Sequence, residues 1–248
     1  MTLVTGDRIL VSTDPAGRTA ATEHFAQQGS FGDVGGLVLK RGGEQIGDSR
    51  YPSGVFEVPA EEATYELTQQ TEKFGRPART WQRSRAVATT RTFVSKQDPA
   101  QYSQSIPILF PSLSIPGDGM KTLPAADGQT TALAVTGHAG CVPGALTSVT
   151  VSYSYDGEHR TQAQVSERGG RWSAVVNHAG AGAGRQVTLK VELTDANGAA
   201  VTQTVARAYD IRQVVREIRK GVHRAAARWT PFRVFGVFCR SGGPRMGP

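Results

Sequence analysis

Residues 146–211 read LTSVTVSYSYDGEHRTQAQVSERGGRWSAVVNHAGAGAGRQVTLKVELTDANGAAVTQTVARAYDI. Polar and apolar side chains alternate through this stretch, segment after segment, and each segment stops at a turn signal. Side chains of a strand swap faces at every residue, so Val149, Val151, Tyr153 and Tyr155 share one face. Val187, Leu189, Val191 and Leu193 repeat the pattern, as do Val201 and Val205. The breaks fall at Asp156-Gly157, Gly169-Gly170, the Gly180–Gly184 run and Asn197-Gly198. Asp-Gly and Asn-Gly accept the positive φ angles of tight hairpins. Strands separated by turns at intervals of roughly ten residues predict an antiparallel sandwich and not a βαβ fold.

The same alternation returns upstream. Residues 36–49, GLVLKRGGEQIGDS, predict a hairpin turning at Gly42-Gly43. In SGVFEV, Val55 and Glu57 share one face and Phe56 and Val58 the other, and Pro59 closes the strand. ATYELTQQTEK puts Tyr65 and Leu67 on one side, and TWQRSRAVATTRTFVS supplies a further strand. IPILFPSLSIP is punctuated by Pro107, Pro111 and Pro116, which suits an edge strand or an extended crossing. TTALAVTG follows, with Leu133 and Val135 facing one way, and TLVTGDRILV at residues 2–11 is a short β-like run broken by Gly6-Asp7. The expected fold class is all-β, with two Ig-like or fibronectin-like antiparallel β-sandwich domains. The expected organisation is an N-terminal segment at 1–35, a first β-domain at 36–105, an Ig-like sandwich at 106–211 and a basic tail at 212–248.

The totals narrow the function classes. The 248 residues hold 28 basic and 21 acidic side chains, a net charge of +7. Nine of the basic residues and one acid lie in residues 212–248, so the rest of the chain carries a balance of −1. Basicity is a tail property, and no nucleic-acid binding by the folded body is expected. No apolar run approaches the ~18 residues of a membrane span. The opening MTLVTGDRILV has no basic segment followed by an apolar block, so as written it is no signal peptide. In the tail, Ile211, Val214, Val215, Ile218 and Val222 recur at helical spacing between Arg212, Arg216, Arg219 and Lys220. They predict an amphipathic basic helix over 212–228 followed by a disordered end. Such a helix could lie on acidic membranes or nucleic acid; docking on the sandwich, or disorder, is the favoured reading.

A search for chemistry finds little. His24, His138, His159, His178 and His223 sit in no motif that would orient them against a nucleophile, and each is expected to be a solvated loop residue. There is no G-x-S-x-G elbow. No His, Cys, Asp and Glu set has ligand spacing. Asp195-Ala196-Asn197-Gly198 is similar to the start of a calcium loop but lacks the later acids, so a hairpin turn is expected. The AGAGAG run at 179–184 has no helix N-terminus after it and is expected to be a turn, not a phosphate cradle. Cys141 and Cys239 are expected to be free thiols, in preference to a disulfide. Trp172 is expected to anchor the core between sheets, with sugar stacking as the functional alternative, and Trp81 has similar status. No catalytic, cofactor-binding or metal-ligating residue is expected, and no cofactor.

One further signal lies in the order of the segments. YELTQQTEKFGRPARTWQRSRAVATTRTFVS, then SVTVSYSYDGEHRTQAQV, GGRWSAVVNHA and VTLKVELTDANGAAVTQTVARAYDI, resemble the non-catalytic C-terminal region of large secreted actinomycete subtilisin-like serine peptidases. The likeness covers roughly residues 33–211. TLVTGDRILVSTDPAGRTA resembles the opening of the propeptide in the same peptidases. The G-T-S-M-A, H-G-T and D-T-G blocks that carry the family's triad are absent from this chain, so no catalytic role transfers and no proteolysis is expected. The resemblance implies a secreted, non-catalytic accessory region that caps or spaces a catalytic domain or contacts protein substrate. Its partners would be that domain or the substrate. A stand-alone adhesive or carbohydrate-binding sandwich is the alternative, and it predicts a row of exposed aromatics on one sheet. Family members stop near the A-Y-x-I strand, and residues 212–248 are expected to add nothing to the fold.

Overall fold

The structure is a computed structural model that describes residues 2–5, 8–12, 33–51, 53–73, 83–101, 104–137 and 141–213. Among these residues every regular element is a strand, as a two-residue beat requires. In chain order they begin with β1 (Thr2–Thr5), β2 (Arg8–Ser12), β3 (Asp33–Arg41), β4 (Glu44–Ser49), β5 (Ser53–Glu57) and β6 (Ala63–Lys73). β7 (Ala86–Ser95), β8 (Gln104–Ser105), β9 (Leu109–Ser114), β10 (Thr122–Pro124), β11 (Gln129–Gly137) and β12 (Leu146–Ser154) follow. The last are β13 (Thr161–Gln162), β14 (Gln164–Arg168), β15 (Arg171–Val176), β16 (Gln186–Asp195) and β17 (Ala200–Arg212).

Residues 109–212 form a sandwich with the strand order of an immunoglobulin domain. One sheet runs β14-β15-β11-β9, and the facing strands run β13-β12-β16-β17. With β10 set aside, these are the D-E-B-A and C′-C-F-G orders of that fold. Alternation fills the space between them. Leu109, Leu113, Leu133, Ala174 and Val176 come from one sheet, and Val151, Tyr153, Val187, Leu189, Val191, Leu193, Val201 and Val205 from the other. Each large apolar side chain buried here contributes ~1.5–3 kcal/mol. Trp172 packs against this core half-buried, opposite Leu133 and Glu167 in the ladder. β9 is an outer strand, which leaves Pro111 opposite Val135 without a second ladder to supply.

A second sandwich faces β5-β2-β1-β8 against β7-β6-β3-β4. Its core is Leu37, Leu39, Phe56, Val58, Tyr65, Leu67, Phe93, Ile106 and Ile108, while Val55 and Glu57 point outward. Gly42 and Gly43, both at positive φ, close the β3–β4 hairpin. The stretch at 1–35, expected to be a separate segment, contributes β1 and β2 as the middle strands of a sheet.

The two sandwiches share a sheet. β17 pairs with β7 from Ala200 opposite Thr92 to Ala206 opposite Ala86, so one nine-stranded sheet runs from β13 to β4, across the boundary expected at 105/106. β17 then changes neighbour, and Asp210, Ile211 and Arg212 pair in parallel with Thr122, Leu123 and Pro124. Arg207, with φ of 53°, makes the bend between the two pairings. Its guanidinium donates to both oxygens of Asp210 at 3.3 and 3.2 Å, and Arg83 meets the same carboxylate at 3.1 Å. Arg212, expected to open the basic helix, is the last residue of β17, because β10 gives its backbone a partner. The remainder of the expected helix lies outside the described residues.

Candidate functional site

The alternation of β15 does not end with the strand. Trp172, Ala174 and Val176 face inward, and His178, two positions further, continues that face into the interior with 1% of its surface exposed. The expectation of a solvated loop histidine is therefore wrong for His178. β12 and the residue that follows it bring Tyr153 and Tyr155 to it, and β17 brings Tyr209. Tyr155 Oη lies 2.6 Å from Nδ1, and Tyr209 Oη lies 2.8 Å from Nε2. Tyr153 packs edge-on at 5.0 Å and donates its own hydroxyl to the Asn177 carbonyl at 2.9 Å. A neutral imidazole has one donor and one acceptor nitrogen, so one tyrosine accepts from the ring and the other donates to it. Burial holds His178 below the usual histidine range, against an opposing pull from Asp127. Burial pushes the Tyr155 and Tyr209 hydroxyls up. All three rings are neutral at physiological pH, and neither imidazole nitrogen is left for a substrate.

The turn after β12 gathers a serine, a histidine and an aspartate. Ser154 Oγ donates to Asp156 Oδ1 at 2.8 Å, and His159 Nδ1 lies 2.7 Å from Asp156 Oδ2. The amides of Glu158 and His159 donate to Oδ1 as well. The His159 ring, the Ser154 hydroxyl and these amides hold the Asp156 carboxyl far below the usual carboxylate range. A hydrolytic triad needs the imidazole between hydroxyl and carboxylate. Here the carboxylate sits between, and the group is a turn cap. His159 itself is solvated, as expected.

Asp195 is likewise consumed locally. Its Oδ1 accepts the amides of Asn197 and Ala199, and its Oδ2 accepts the amide of Gly144. The carboxylate ties the β16–β17 turn to the segment before β12, which is the hairpin role expected of that stretch. Among the described residues no three His, Cys, Asp or Glu side chains converge as metal ligands.

An open cleft of about 730 Å³ lies between Lys96, Asp98, Gln101, Gln104 and Cys141. Gln104, one of its lining residues, accepts the Asp98 amide at 2.8 Å and donates to the Lys96 carbonyl at 2.5 Å. Asp98 accepts the Ala100 amide and the Gln101 side-chain amide. Cys141 is a half-buried free thiol. Cys239, His24, His138, His223 and Trp81 lie outside the described residues.

Arg91 was not singled out by the sequence reading, although alternation with Phe93 marks it as inward. It is 1% exposed, and among the described residues no carboxylate pairs with it. Its Nε donates to the Leu109 carbonyl and its Nη1 to Gln69 Oε1, both at 3.4 Å, and its guanidinium sits 4.8 Å from the Phe110 ring centroid. Burial lowers its pKa to about 10.

No family profile matches this chain, and no curated protein does. A solved chimeric titin Z1Z2-Z1Z2 tandem, functionalised with a GRGDS peptide from fibronectin, is similar over 84% of this chain and 89% of its own, at 16% identity and a TM-score of 0.25. The Ig-like assignment stands on the strand order itself. No helix among the described residues is long and apolar enough to cross a membrane.

Proposed function

We propose that this chain is a non-catalytic accessory β-sandwich region of a secreted subtilisin-like serine peptidase, capping or spacing the catalytic domain or contacting its protein substrate. One observation carries the reading. Where polar and titratable side chains converge, at Asp156, His178 and Asp195, their donors and acceptors are spent on holding turns and strand ends. Such a body is built to keep a shape, which suits a spacer or cap. The resemblance over residues 33–211 supports the peptidase setting, and those residues coincide with β3–β17. The carbohydrate-binding alternative needs a row of exposed aromatics. Among the described residues Tyr51, 72% exposed, is the single exposed aromatic side chain.

The test mixes the purified chain with the catalytic domain of an actinomycete subtilisin-like peptidase lacking its own C-terminal region. The expected results are a complex by calorimetry and no labelling of this chain by a fluorophosphonate probe. Labelling of a serine in this chain, or binding to insoluble polysaccharide in place of the catalytic domain, would overturn the reading.

A further inference from the structure

The β1–β2 hairpin is the middle of its sheet. β2 pairs with β5 from Arg8 opposite Glu57 to Ser12 opposite Ser53, and β1 pairs with β8 at Leu3–Ser105 and Val4–Gln104. β5 and β8 do not pair with each other. The sheet whose edge strand β5 carries Phe56 into one core with Leu37, Leu39, Tyr65 and Ile106 is therefore joined through residues 2–12. The hairpin reaches β3 by the connection 13–32, far longer than the ~4–6 residues usual between neighbouring elements.

The two ends of that connection lie in one neighbourhood. Ser12 is opposite Ser53, a Cβ on the next residue, Gly54, would lie 3.3 Å from that of Ser49, and Ser49 is opposite Leu37, four positions after Asp33. Loop-closure entropy grows slowly with length, so lengthening this connection costs little; cutting it forfeits the effective concentration the tether supplies but leaves every strand pairing of the hairpin in place.

We propose that residues 33–213 present a two-edged slot, β5 on one side and β8 on the other, that takes the hairpin of residues 2–12 by strand pairing alone. Covalent continuity through 13–32 is dispensable, and a whole folded domain can be carried between Ser12 and Asp33 with the sandwich intact. This goes beyond the accessory reading and does not depend on it.

The experiment uses the full chain with a specific protease site placed between residues 20 and 24 and cleaved to completion. The N-terminal piece is expected to co-elute with the body on gel filtration at micromolar concentration. The melting temperature of the nicked protein is expected to rise when a peptide of residues 1–13 is added in excess. Val4→Pro, which removes a ladder donor, is expected to release the piece. Separate elution of the wild-type piece, unfolding of the nicked protein, or retention of the Val4→Pro piece would each overturn the proposal.

Discussion

His178 and Arg91 show how the two-residue beat outruns composition. Both lie where alternation puts a core residue, and both are polar, so the fold has to satisfy them. The pH consequence of His178 follows from its lowered pKa. The unfolded chain takes up a proton near pH 6.5, and the folded protein does so only at lower pH. The stability contributed by the neutral ring is complete above about 6.5 and falls as pH drops from there through the folded value. Thermal melts at pH 7.5 and pH 5 should show this loss, and His178→Gln should flatten that part of the profile. The groups facing the ring are Tyr153, Tyr155, Tyr209 and Asp127, and burial pushes the Tyr155 and Tyr209 hydroxyls up, away from that window. Tyr209→Phe leaves Nε2 without its partner and should cost ~1–3 kcal/mol in denaturant unfolding. Arg91 is a buried charge that no carboxylate among the described residues meets. Arg91→Met, which keeps the stem and drops the charge, should leave stability unchanged or raise it by ~1–2 kcal/mol, whereas Arg91→Ala opens a cavity and should cost ~2–4 kcal/mol.

At the scale of the element, β3 lies against β6 closely enough at one position to exclude any side chain. A Cβ on Gly35 would run into the backbone carbonyl oxygen of Gln70. Gly35→Ala should therefore force β3 from β6 locally and cost ~2–4 kcal/mol, against ~1 kcal/mol for an ordinary strand substitution. Loss of amide protection at Leu37 and Leu39 would be the readout. Much of this level was legible in the sequence. Gly42-Gly43 and Gly169-Gly170 turn their hairpins at positive φ, and Val187 to Leu193 point inward as a beat of two demands. Long strands with one buried face carry their own register. The pairing of β17 with β7 and the placement of β1–β2 were not legible. Sheet neighbours far apart in sequence are chosen by shape and backbone pairing, and neither leaves a local signature in Ala200–Ala206 or Thr2–Thr5. His178 was misread for a related reason. It was read with the other histidines as a solvated loop residue, although it continues the inward beat of Trp172, Ala174 and Val176.

On the scale of the whole molecule, a sheet shared by two sandwiches should make them unfold together. Removing residues 214–248, beyond the end of β17, should leave the melting temperature nearly unchanged. A large drop would mean that the tail supports the fold. The sharper measurement is scanning calorimetry of the full chain, because it asks whether the strands from β13 to β4 act as one body. A single two-state transition, with calorimetric and van't Hoff enthalpies equal, is expected. Two resolved transitions, with β3–β7 melting apart from β9–β17, would contradict the shared sheet and return the chain to two independent domains.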